Sequence, residues 1–88
     1  MTKLIFSTRF KRMYRKLIAK RQRVCDDRLR LFAVNPRHSL LDVHSLGGEY
    51  AGCFSINITG DVRAVYRMIT TGTAYFLAVG THSELYGS

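Results

Sequence analysis

The hydrophobic period changes once along this 88-residue chain, and that change restricts the fold more than any other feature. From Phe10 the apolar residues Phe10, Met13, Tyr14, Leu17 and Ile18 recur at helical spacing, opposite a face of Lys and Arg. Ser7 or Thr8 can cap this helix. Cys25, Leu29 and Phe32 continue the helical spacing, which predicts a second helix over 23–34. Asn35-Pro36 stops it, because the residue before a proline is pushed out of the α region. Past Gly47-Gly48 the period becomes two. Tyr50, Phe54, Ile56 and Ile58 precede a turn at Gly60-Asp61, and Val62, Ala64, Tyr66 and Met68 follow it. A turn around Gly72 leads to residues 74–79, which are apolar throughout and read as an interior strand. Thr2 to Phe6 reads as a short strand ahead of the helices, and residues 37–48 as loop with at most one short strand. The expected fold class is α+β, a small mainly antiparallel β-sheet with an N-terminal helical hairpin on one face. The length gives one domain, 1–88.

The register of the hairpin around Gly60 follows from keeping one apolar face together. A two-residue loop would set Ile58 against Arg63 and mix the faces. A three-residue loop, Thr59 to Asp61, pairs Ile58 with Val62, Ile56 with Ala64 and Phe54 with Tyr66. That register puts Asn57 opposite Arg63 on the other face, with Arg67 further along it and Asp61 at its end.

Charge divides the chain differently. Residues 1–30 carry eleven Lys and Arg against two Asp, whereas residues 31–88 carry three Arg against four acids. A block this basic points to a polyanion or an acidic partner, and nucleic acid is the commonest polyanion. Lys11 and Arg15 stand on the basic face as candidate RNA contacts. The longest apolar run, Ala74 to Val79, is too short to span a bilayer, and Leu4-Ile5-Phe6 is too short for a secretion signal. Cys25 and Cys53 match no metal or redox spacing and are expected to be reduced core thiols, as in a cytoplasm. His38, His44 and His82 lack the spacing of a zinc site.

Candidate chemistry lies in the neutral part of the chain: His44, Asp61, Arg63, His82, Glu84 and Tyr86, all expected on loops or at strand ends. Histidines, a carboxylate and an arginine suffice for metal-free phosphodiester transfer in RNA. One group takes the 2′-OH proton, another protonates the leaving oxygen, and a fixed cation holds the charge that builds on the phosphate. Taken singly, a loop histidine is more often a surface residue and an aspartate beside Gly60 more often turn chemistry.

Several stretches together resemble a known family. They are Asn35-Pro36, His44-Ser45-Leu46-Gly47-Gly48, Gly60-Asp61-Val62-Arg63-Ala64-Val65-Tyr66 and Val79-Gly80-Thr81-His82-Ser83-Glu84-Leu85-Tyr86-Gly87. The chain looks like the RelE/ParE superfamily of bacterial type II toxins, nearest the YafQ-like endoribonucleases. The resemblance covers nearly the whole length. It implies a microbial RNase-like fold and ribosome-dependent cleavage of mRNA, with no metal and no cofactor, restrained by a cognate antitoxin. By position, His82 would be the general acid, Asp61 and His44 would serve as base and substrate-positioning groups, and Arg63 would stabilise the phosphate. Tyr86 would orient the substrate, with Asn57 and Arg67 as further contacts. Asn57 stands where YafQ-like members often have histidine and cannot shuttle a proton near neutral pH, so the base stays open between Asp61 and His44. Val62 stands where they often have tryptophan. Residues after His82 are expected to fray in the free toxin. Two other readings remain at this level: a ParE-type toxin acting on gyrase, and a non-catalytic module that binds RNA or the ribosome.

Overall fold

The computed structural model describes residues 1–87. The chain opens with β1 (Lys3–Phe6), α1 (Thr8–Arg15) and α2 (Ala19–Val34). A 3-10 turn at Ser39–Leu41 leads to the two-residue strand β2 (His44–Ser45), and another at Gly48–Tyr50 leads to β3 (Phe54–Asn57). Two long strands follow, β4 (Val62–Thr70) and β5 (Thr73–Thr81), and then a short helix, α3 (His82–Tyr86). One five-stranded sheet has the order β1-β5-β4-β3-β2. Among the described residues β1 pairs parallel with β5, and the β2–β3, β3–β4 and β4–β5 pairings are antiparallel. Among the described residues no helix is long and apolar enough to cross a membrane.

The hairpin register is the one the apolar face requires: Phe54 faces Tyr66, Ile56 faces Ala64 and Asn57 faces Arg63. Ser7 caps α1, as expected. Its hydroxyl accepts from the Phe10 N–H at 2.9 Å and donates to the Leu77 carbonyl at 2.9 Å, which ties the strand-to-helix corner to β5.

The helical hairpin breaks earlier than the stripe suggests. α1 stops at Arg15, and α2 begins at Ala19 rather than at residue 23. Lys16 and Leu17 donate to Met13 and Tyr14, three residues back, which tightens the last turn. The Gln22 side chain also donates to the Tyr14 carbonyl at 3.0 Å. Ile18 is then extended and largely exposed, so it leaves the stripe it seemed to complete.

The helices cover one sheet face over a core that includes Phe10, Cys25, Leu29, Phe32, Ile56, Val62, Ala64, Tyr66 and Phe76. Phe32 meets the rings of Tyr66 and Phe76 edge-on, with centroids 4.7 and 5.2 Å away. The opposite face is less polar than the alternation predicts. Cys53, Val65, Ala78 and Leu85 form a second cluster there, with Leu46, Tyr50, Leu77 and Tyr86 packed against it. A bulge in β5 helps to build it. Val65 pairs with Ala78 and Tyr66 with Phe76, so Leu77 is the extra residue and β5 bends.

Residues 83–86 are helical where an open tail was expected. They belong to α3, fixed by a capping box. The Thr81 hydroxyl accepts from the Glu84 N–H at 3.3 Å, and Glu84 Oε1 accepts from the Thr81 N–H at 2.8 Å. Leu85 is buried against the sheet below.

Candidate functional site

On the face away from α1 and α2, a cleft of about 420 Å³ opens between β2, β4 and α3, lined by His44, Ser55, Arg63, His82 and Tyr86 among others. Each side chain arrives by a separate route. His44 is on the edge strand β2, paired with Ser55 of β3. Arg63 projects from β4. His82 is the first residue of α3 and Tyr86 lies one turn on, so their rings share one side of the helix, 4.7 Å apart and edge to face. Tyr50 braces this pair: its ring is 5.7 Å from Tyr86, and its hydroxyl donates to the Leu85 carbonyl at 3.1 Å.

Hydrogen bonds orient the cleft. Arg63 Nη1 donates to Asn57 Oδ1 across the β3–β4 pair. The other end of that amide, Asn57 Nδ2, donates to Asp42 Oδ2 at 3.4 Å. His44 Nδ1 lies 2.9 Å from the Asp42 backbone carbonyl. A carbonyl oxygen only accepts, so Nδ1 carries the proton and Nε2 of the neutral ring keeps a free lone pair. The capping N–H of Thr81 holds the Glu84 carboxyl below its usual pKa, so Glu84 remains the anionic half of the box that fixes His82. The arrangement can remove a proton at His44 Nε2, hold an anion against Arg63, supply a proton from His82 and stack a ring on Tyr86. Among the described residues no group of three or more His, Cys, Asp or Glu side chains could hold a metal ion.

The structure brings His44, Arg63, His82 and Tyr86 together and sets Asn57 directly behind Arg63. It does not bring Asp61 to them. The Thr59 hydroxyl accepts from the N–H groups of both Asp61 and Val62, curling the turn back toward the helices. The Asp61 carboxylate ends 4.0 Å from Arg21, in a separate cleft with Ile18, Lys20 and Val24. Lys11 and Arg15 lie on the helical side, beside a groove lined by Phe6, Phe10 and Tyr14. Arg67 lies further down β4 with its guanidinium 5.4 Å from the centre of the Tyr75 ring. Sequence reasoning missed Asp42 and Ser55. Asp42 left one signal, being the only acidic residue between positions 28 and 48 and two residues before His44. Ser55 left none beyond its place in an alternating strand.

YafQ from E. coli superposes with a TM-score of 0.79 over 99% of this chain and 100% of its own, at 22% identity. A YoeB/ParE toxin from Agrobacterium tumefaciens gives 0.76 over 92% and 99% of the two chains, at 25% identity. The intact E. coli RelBE toxin–antitoxin complex gives 0.70 over 92% and 96%, at 23% identity. The chain has the fold of the RelE/ParE toxin superfamily. YafQ, the branch indicated by the sequence motifs, stands among these neighbours. No protein-family model and no curated protein matches the chain.

Proposed function

We propose that this chain is the toxin of a type II toxin–antitoxin pair and a ribosome-dependent endoribonuclease that cuts mRNA without a metal. The observation that carries this reading is the single cleft shared by His44, Arg63, His82 and Tyr86. His44 Nε2 takes the proton of the 2′-hydroxyl, which attacks the adjacent phosphorus. Arg63 stabilises the charge that builds on the phosphate oxygens. His82 protonates the departing 5′ oxygen, and Tyr86 stacks on a neighbouring base. Between the two candidate bases the reading takes His44, because Asp61 faces Arg21 instead. Basic side chains of α1 and α2, with Lys11 and Arg15 among them, hold ribosomal RNA from outside the cleft. A cognate antitoxin restrains the toxin; the RelBE neighbour is a toxin–antitoxin complex.

Primer extension on mRNA undergoing translation tests the reading. The wild-type protein is expected to produce discrete cuts, and a folded His82→Ala variant to lose at least about a hundredfold in rate, the usual worth of a general acid. Undiminished cutting by His82→Ala would remove His82 from the mechanism. Inhibition of gyrase supercoiling with no cleavage of RNA would replace the nuclease reading with a ParE-type one.

A further inference from the structure

We propose that Asp42 is the positioning residue of the cleft, whose two acceptor groups set the proton-accepting imidazole and the phosphate-binding guanidinium relative to each other. The proposal rests on the endoribonuclease reading above. His44 and Arg63 come from β2 and β4, with β3 between them. β2 is only two residues long and lies at the sheet edge, so its backbone pairing alone holds His44 weakly. Asp42 supplies the missing tie. Its backbone carbonyl accepts from His44 Nδ1 and selects the tautomer with a basic Nε2. Its carboxylate accepts from Asn57 Nδ2, which turns Asn57 Oδ1 toward Arg63. Both ends of that amide are thus committed, so the amide has one orientation and the guanidinium one anchor.

The backbone of Asp42 points to the same role. Among the described residues it is the only non-glycine with positive φ, at 46°. Aspartate tolerates this left-handed conformation better than most residues. The conformation ends the 3-10 turn at Ser39–Leu41 and lets one residue offer its carbonyl to His44 while its side chain reaches Asn57. Asp42 borders the machinery without lining the cleft, so its effect passes through its neighbours.

Two substitutions separate the carboxylate from the turn. Asp42→Gly keeps the left-handed backbone and removes the acceptor, whereas Asp42→Asn keeps both. Side-chain nitrogen NMR of the free protein reads the anchoring of Arg63 with no reference to activity. Hindered rotation of the guanidinium is expected in the wild type and in Asp42→Asn, and free rotation in Asp42→Gly. Single-turnover cleavage on programmed ribosomes should fall about tenfold in Asp42→Gly with little change in KM, and Asp42→Asn should restore most of the loss. Adding Asn57→Ala to Asp42→Gly should cost little more than Asn57→Ala alone, because both lie on one path to Arg63. An Asp42→Gly protein with an anchored Arg63 and wild-type cleavage overturns the proposal. A wild-type protein that cuts no RNA defeats the nuclease reading instead, and the NMR signature then decides the positioning role by itself.

Discussion

At the scale of single residues, one phenol joins the two N-terminal helices. The Tyr14 hydroxyl donates to Asp26 Oδ1 at 2.7 Å. That hydrogen bond, with burial second, pushes the phenol up to about 12 from 10.0. A group whose folded pKa exceeds its unfolded value stabilises the fold fully below the unfolded value. Here the contribution is complete below pH 10 and disappears as pH rises through about 12. Tyr14→Phe should therefore cost about 1 kcal/mol at pH 7, and its deficit should narrow above pH 10. Urea titrations of both proteins at pH 7 and pH 11 measure this, and equal midpoints at pH 7 would show that the bond adds nothing. The sequence marks Tyr14 as part of an apolar stripe, which it is. Its polar partner is invisible there, because reaching Asp26 depends on where the helices turn, and the break at Lys16 to Ile18 was not legible from periodicity.

At the scale of elements, a missing side chain seats α3. A Cβ on Gly80 would stand 2.9 Å from Glu84 Oε1 and 3.2 Å from Met13 Cε. The Glu84 oxygen has little freedom to yield, since it is the acceptor of the Thr81 capping bond. Gly80→Ala should break the cap, lower stability by about 1 kcal/mol and loosen His82 and Tyr86. Amide exchange across residues 82–86 should speed up relative to the rest of the chain, and unchanged protection there would refute the packing argument. The Thr81…Glu84 spacing is a capping-box signature that the sequence displays openly. Together with the burial of Leu85 it holds a segment that chain-end entropy alone would leave open. The β3–β4 register was legible because a slip of one residue would have turned a whole apolar face to water. The side on which Asp61 lies was not, since the Thr59 hydroxyl, not strand alternation, governs that turn.

At the scale of the whole molecule, charge and chemistry occupy different sides of the sheet. The basic helices cover one face and the candidate cleft opens on the other, so the sequence split at residue 30 is also a spatial division. The histidines and Arg63 could be named from motifs. Asp42 could not, because its contacts with Asn57 and His44 come together only when β2 lies beside β3. The same two-layered interior separates the thiols. Cys25 is buried beneath the helices, and desolvation, with Asp26 second, pushes it up to about 12; Cys53 lies in the cluster under α3. Under timed alkylation in dilute urea, Cys53 should modify first, through local opening of its thin cover, and Cys25 only with global unfolding. Identical rates would mean that both layers come apart together. With a sheet between them the sulfurs have no route to a mutual bond in the folded chain, and each thiol serves as a stopwatch for one half of the interior.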